Sequence, residues 1–325
     1  MIKRWQSLEP GMATREAYGR ALADLGAKNP KIVVLDADLS KSTYTSIFGK
    51  AHKDRFFDVG IAEANLVSVA AGLAAGGFIP FASSFASFLV CKGYEQLRVS
   101  VAYMGLNCKF VGSHGGISLG EDGPSQQSIE DVALAASLPG FTVAVPADEV
   151  STDALVHEAA VHQGPVYLRV GRPRAPKIYG PGERFSFGRA KTLSDGSDVT
   201  VIANGLMVGT ACQAAELAER RGIHVRVIDC HTAKPLDEAT VEIAAKETGA
   251  IVVAEEHLIR GGLGSAVAQV VVRRQPVPME FVGLQDTFAE SGTPEELFRA
   301  FGLTVEHLLG AIFRVLERKA APVAV

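Results

Sequence analysis

Residues 56–82 decide the fold: Phe56-Phe57-Asp58-Val59, then Gly60 through Gly77, then Phe78-Ile79-Pro80-Phe81-Ala82. Two short runs of strand-forming residues flank Ile61 to Ala75, a small-residue segment long enough for a helix. A helix joining two such strands is the crossover unit of a parallel sheet. The uncharged tract from Ala64 to Cys91 runs 28 residues and would span a bilayer only as one helix. Gly76-Gly77 and Pro80 interrupt it, and serines at 68, 83, 84 and 87 suit a helix, a turn and a strand inside a protein. No membrane span is expected.

The pattern continues on both sides. Strands are expected at Ile32–Leu35, Lys109–Val111, Thr142–Val145 and Val166–Val170, with helices near 14–27, 88–104, 127–137 and 149–162. Runs this apolar read as strands buried on both faces. Arg172-Pro173-Arg174-Ala175-Pro176 through Gly180-Pro181-Gly182 lacks a hydrophobic period and reads as a linker crossing a surface. A second series follows, with strands at Val199–Ala203, His224–Ile228, Ile251–Ala254 and Glu280–Val282 and helices near 208–221, 237–247, 262–273 and 304–319. The expectation is an α/β protein of two consecutive open domains, residues 1–185 and 186–325, with mainly parallel sheets and right-handed crossovers.

The 325 residues, 47% of them hydrophobic and 21% charged, can bury a sizeable core. Lys and Arg number 32 against 36 Asp and Glu, and a net charge of −4 disfavours wholesale binding to nucleic acid or anionic lipid. Cys91, Cys108, Cys212 and Cys230 form no Cys-x-x-Cys pair, and with eight scattered histidines they show no zinc spacing. Reduced thiols, and an N-terminus broken by Glu9 and Pro10 before any apolar run, fit a cytoplasmic protein without a metal site of its own.

Three segments could carry chemistry. Asp58 through Asn65 places one carboxylate, Glu63, in the first turn of an otherwise uncharged helix. Glu63 either complements the helix dipole or is buried, because a helix of small residues without a charged face must be covered all round. Burial favours a neutral carboxylic acid, which proton transfer can use. Phe81 through Phe88 sets aromatics among small polar residues at a strand end, where ligand crevices open in such sheets, although core packing is the plainer reading. Gly112 through Gln127 holds five glycines and a proline, a shaped loop carrying His114, Glu121 and Asp122, which are either solvated turn residues or a cluster positioned by a rigid sheet.

These residues carry a resemblance. Asp58-Val59-Gly60-Ile61-Ala62-Glu63, Phe85 with Phe88, and Gly120-Glu121-Asp122-Gly123-Pro124 resemble the pyrimidine-binding domain of transketolase, a thiamine diphosphate enzyme. Lys234-Pro235-Leu236-Asp237 and Glu255 through Gly264 are similar to that family's C-terminal domain, and the likeness runs from about Thr14 to Phe313. Transketolases also carry an N-terminal domain in which Gly-Asp-Gly and an Asn hold magnesium, and no Gly-Asp-Gly occurs here. The chain therefore resembles the C-terminal subunit of a split transketolase. The resemblance implies thiamine diphosphate at a subunit interface, and Mg2+ held by an N-terminal partner subunit bearing Gly-Asp-Gly. It further implies a dimer of heterodimers, and transfer of a two-carbon ketol unit from a ketose phosphate to an aldose.

It also implies roles. Glu63 matches the catalytic glutamate that hydrogen-bonds N1′ of the aminopyrimidine. Phe85 matches the ring stacked on that base and Phe88 a wall beside it, while Cys91 stands where a third aromatic is usual. Asp38 and Leu39 match residues near the thiazolium. Arg15, Ser42, His114 and Arg169 match a grip on the sugar phosphate, chemistry that suits guanidinium, although Arg15 could face solvent and Arg169 could pair with a carboxylate. Asp122 matches a reader of the hydroxyl beside the acceptor aldehyde. Gln126 replaces a usual histidine with a neutral amide, which leaves the donor ketose open. Gly261-Gly262-Leu263-Gly264 lacks dinucleotide spacing and reads as close packing. The alternatives are a 1-deoxyxylulose 5-phosphate synthase-like or 2-oxo acid dehydrogenase β-type subunit, or a non-catalytic assembly or sugar-phosphate-binding partner; the Gly120–Pro124 loop favours transketolase.

Overall fold

Alternate side chains of the apolar runs leave on opposite faces of two sheets, so each sheet has two cores. The computed structural model describes Trp5 and residues 8–321. In chain order the strands are β1 (Pro10–Ala13), β2 (Ile32–Asp36), β3 (Phe56–Asp58), β4 (Ile79–Phe85), β5 (Lys109–Ser113), β6 (Thr142–Ala144) and β7 (Val166–Val170). They continue as β8 (Arg174–Pro176), β9 (Lys191–Ser194), β10 (Val199–Ala203), β11 (Val225–Asp229), β12 (Thr232–Lys234), β13 (Ile251–Leu258) and β14 (Met279–Leu284).

The first sheet runs β12-β6-β7-β5-β4-β2-β3 and is parallel except for β12. The second runs β14-β13-β10-β11-β9 and is parallel except for β9. In β2, Ile32 and Val34 meet Tyr18, Leu22 and Leu155 on one side, while Val33 and Leu35 meet Leu66, Leu89 and Phe110 on the other. The helices Thr14–Lys28 and Glu149–Val161 thus cover one face, and Glu63–Ala75 and Ala86–Gln96 the other. The second sheet is covered in the same way, as expected of two α/β domains.

Several elements differ from the expectation. β1, β8, β9 and β12 are three or four residues long and pair antiparallel, too short to show a period in sequence. β12 joins the edge of the first sheet although it lies well past residue 185, and Lys234 reaches from it to the carbonyls of Ala136 and Leu138 at 2.8 and 2.6 Å. The helix expected from residue 127 begins at Asp131, and the one expected over 88–104 is Ala86–Gln96 followed by a π-helical turn, Leu97–Ala102. Among the described residues no helix is long and apolar enough to cross a membrane.

The Pro/Gly-rich linker does not simply cross a surface. Ile178 and Phe185 are buried. One oxygen of Asp148 accepts from the backbone N–H groups of Ile178 and Tyr179 at 2.9 and 2.8 Å, while the other caps the helix Glu149–Val161 through Ser151 at 2.8 Å. The Tyr179 hydroxyl donates to Asp229 at the end of β11 at 2.7 Å, and burial pushes that carboxyl up to about 7. The segment is a strap bonded to both halves. Replacing Asp148 with Ala removes a cap and two strap bonds, and a loss of about 3 kcal/mol in denaturant unfolding is expected. A loss below about 1 kcal/mol would mean that the strap is held by other contacts.

Candidate active site

The carboxyl ends of the neighbouring strands β5, β4, β2 and β3 bring most of the expected residues to one edge of the first sheet. Register pairs Asp36 with Asp58 and Ser83, and Phe85 with Ser113, so the strand ends are level. Asp38, Leu39 and Ser42 follow β2, Glu63 follows β3, Phe85 ends β4 and His114 follows β5.

Glu63 opens its helix and is 3% exposed. The helix is not covered all round: Asn65, Ser68 and Gly72 are exposed along it, and Ile61 just before it is 77% exposed. The Ser84 hydroxyl donates to one oxygen of Glu63 at 3.3 Å, and Lys92 Nζ lies 3.5 Å from the other. The same ammonium sits 4.3 Å over the ring of Phe88. Carboxylate and ring thus both lie against one positive group, the Lys92 ammonium. Phe85 is enclosed, with ring centroids 3.9 Å from His114 and 5.6 Å from Phe88, so Phe88 offers the freer aromatic surface. Cys91 turns toward Glu130 at 3.6 Å, and burial together with that carboxylate pushes its thiol up to about 11.

A second cluster is cationic. Arg15 Nη1 donates to the Ser42 carbonyl at 2.9 Å and to His114 Nε2 at 3.0 Å, and the guanidinium lies 5.3 Å over the Tyr44 ring. Because Nε2 accepts, the His114 proton is on Nδ1, which donates to the Ser113 hydroxyl at 2.8 Å. Burial first, then the charges of Arg15 and Arg172, push His114 down to about 3. Its φ of +60° puts its backbone in the left-handed region, a local strain of the kind stored at sites. Arg172 belongs to this cluster and was hidden in sequence by its place in an apparent linker. β7 ends at Val170, and from just beyond it Arg172 Nη1 donates to the Leu119 carbonyl at 2.5 Å and to Glu121 at 2.9 Å.

Asp36 fixes the loop after β2. Its carboxylate accepts from the Leu39 N–H at 2.6 Å and from the hydroxyls of Thr43 and Thr45, both at 2.7 Å. Burial raises this carboxyl to about 6, against the pull of those bonds. Asp38 is exposed in the left-handed region at φ +61°, and its N–H donates to Asp58 at 3.0 Å.

Arg169 is placed elsewhere. It lies buried beneath the glycine loop, with Nη2 donating to the Ser128 carbonyl at 3.0 Å and Nε 3.4 Å from Asp131. Asp131 also accepts from the Tyr167 hydroxyl at 2.6 Å. Asp122 is exposed on the loop, while Gln126 is half-buried, its carbonyl accepting from Ser87 at 3.0 Å. In the second half, the N-terminal amides of the helix Leu263–Arg274 are filled from within: Leu263 and Gly264 donate to Glu255 at 2.8 Å each. A side chain at Gly262 would meet that carboxylate at 2.2 Å, so the glycines serve close packing. Among the described residues no cluster of three or more His, Cys, Asp and Glu could hold a metal ion.

Comparison with known proteins is consistent with this geometry. The transketolase pyrimidine-binding domain matches residues 10–177, and the transketolase C-terminal domain matches residues 188–308. A 6-deoxy-6-sulfo-D-fructose transketolase subunit, SqwH, from a Clostridium species is 42% identical over 305 residues, covering 94% of this chain and 95% of that protein. Human transketolase is 40% identical over 305 residues, covering 93% of this chain but 48% of the human protein, so the chain spans about half its length. A solved split-gene transketolase, described as an inactive beta4 tetramer, superposes with a TM-score of 0.90 at 49% identity, covering 95% of this chain and all of that one.

The cationic cluster makes a prediction in pH. A folded value near 3 lies below the ordinary histidine value of about 6.5, so between them the unfolded chain binds a proton that the folded one refuses. His114 therefore contributes its full stabilisation above about pH 6.5 and loses it as pH falls toward 3. Nitrogen-15 spectra should show the Nδ1-protonated ring with no titration between about pH 5 and 8. A midpoint near 6.5 would exclude the Arg15–His114 bond.

Proposed function

Because the chain belongs to the transketolase family, we propose that it is the C-terminal subunit of a split transketolase, moving a two-carbon ketol unit from a ketose phosphate to an aldose. The observation that carries this reading is the buried Glu63 carboxylate and the Phe88 ring lying against one ammonium, that of Lys92, which we read as the slot of a bound base.

The slot suits an aminopyrimidine, flat enough for Phe88 and carrying a ring nitrogen for Glu63. Thiamine diphosphate, when bound, supplies the carbon nucleophile and electron sink that the protein lacks. Glu63 holds a proton at N1′ of the base, with Ser84 steadying its other oxygen. Lys92, long and exposed, would have to leave this place for the base to enter. Phe88 takes the stacking face and Phe85 backs it, an exchange of the roles expected from sequence. Asp38 and Leu39 border the thiazolium side on a loop stiffened by Asp36. Arg15 and Arg172 grip the terminal phosphate, with neutral His114 holding Arg15 in place and the Ser42 loop beside it. Arg172 replaces Arg169 in that role. Asp122 and Gln126 meet the sugar hydroxyls. A sulfonate offers the same kind of oxyanion to these arginines, and the SqwH relative is named for a sulfonated ketose.

We assign the diphosphate and Mg2+ to an N-terminal partner subunit bearing Gly-Asp-Gly, a reading supported by relatives that are a transketolase subunit and a split-gene transketolase. A dimer of heterodimers would cover Ile61 and the exposed small-residue side of the Glu63 helix. The inactive beta4 state of the solved relative supports an inactive lone chain. We place the domain division near residue 185, in the gap between family matches over residues 10–177 and 188–308. Four cysteines, none in a Cys-x-x-Cys pair, suit a cytoplasmic setting.

Co-expression with the chain bearing Gly-Asp-Gly, followed by transfer assays from xylulose 5-phosphate and from 6-deoxy-6-sulfofructose, tests the reading. Activity is expected only in the pair. Glu63→Gln should lower kcat by about 10²–10⁴-fold, and Arg172→Met should raise KM for the phosphorylated donor by about 10-fold with kcat little changed. Decarboxylation of a 2-oxo acid without ketol transfer would replace this function with the dehydrogenase-type alternative. Absence of cofactor binding by the pair would leave a non-catalytic protein.

A further inference from the structure

The transketolase reading uses the glycine loop for its side chains, but the loop's position is set from the other half of the chain. Glu256, near the end of β13, is buried, and its Oε1 accepts the N–H of Ser118 at 2.6 Å. Gly116, at φ +84°, has no room for a side chain: a Cβ there would lie 2.1 Å from Glu256 Oε1 and 2.8 Å from Arg169 Nη2. A Cβ on Gly115 would meet Arg169 Nε at 2.1 Å. The Ser128 carbonyl accepts from both the Gly116 N–H at 2.7 Å and Arg169. The base of the loop is therefore clamped between a carboxylate from the second half and a guanidinium from the first. The far end is tied by Gln127, whose amide donates to the carbonyls of Gly120 and Glu290 at 3.2 and 3.0 Å. Burial pushes the Glu256 carboxyl up, and Arg169 opposes that shift.

We infer that Glu256 is a positioning residue for the reaction: through Ser118 and Gly116 it sets where His114, Asp122 and Gln126 stand, and so sets affinity for the sugar substrate. The inference rests on the transketolase reading of the same loop. It explains why Arg169 is buried and committed to protein partners while Arg172 stands at the rim. A loop moved by about 1 Å misplaces the groups that orient a substrate while leaving the Glu63–Phe88 slot intact.

The test uses the assembled two-subunit enzyme. Glu256→Ala should raise KM for donor and acceptor by about 10-fold or more, change kcat less, and leave thiamine diphosphate affinity within about twofold of the parent. Glu256→Gln keeps an acceptor for Ser118 and should restore most of the KM. If the alanine variant does not fold, Gly116→Ala, which pushes on the clamp from the loop side, should raise KM in the same way. Unchanged KM in Glu256→Ala or in Gly116→Ala, or cofactor affinity falling in step with KM, would overturn the inference. A parent pair that binds thiamine diphosphate but transfers no ketol unit defeats the functional reading instead, and the parent control reveals it separately.

Discussion

A guanidinium taken out of water has to be paired, and Arg169 is wholly enclosed beneath the glycine loop. Its charge is met by Asp131 from its own half, and Glu256 arrives from the other half at the Gly116 turn beside it. Leaving one member of such a group unpaired costs about 3–5 kcal/mol, so none of the three elements that carry them can move alone. The same group fixes Gly115 and Gly116, whose missing side chains leave room for it. Around this fixed point the strand ends, the loop and the second sheet take their places.

What stands above it is two patches of different character. One is a buried carboxylate and an aromatic ring against the same ammonium. The other is a pair of arginines and a neutral histidine, suited to an oxyanion. Both lie at the level ends of adjacent parallel strands, where the open edge of such a sheet presents a crevice.

Much of this was legible in sequence because parallel strands buried on both faces leave uninterrupted apolar runs, and those around Val34, Val111, Leu168 and Val201 became strands. β12 was not legible, since three residues give no period and its pairing is made with a segment nearly ninety residues earlier. Glu63 could be singled out because a lone charge in a small-residue helix is conspicuous. The opposite held for Arg169 and Arg172. Both are arginines near one strand end, and only the pleat of β7, which sends Arg169 inward, and the length of the strand separate a packed charge from one at the rim. Phe85 and Phe88 are of the same kind: spacing shows two rings side by side, but not which one His114 covers.

β12 lies in the first sheet, and the strap through Ile178 and Tyr179 is bonded to both halves. Dividing the gene between them would separate these bonded segments. A break near residue 185 would expose β6 as an unpaired edge and strip Asp229 of its partner Tyr179. For evolution the two halves are one inherited module, and recombination at its middle would break it.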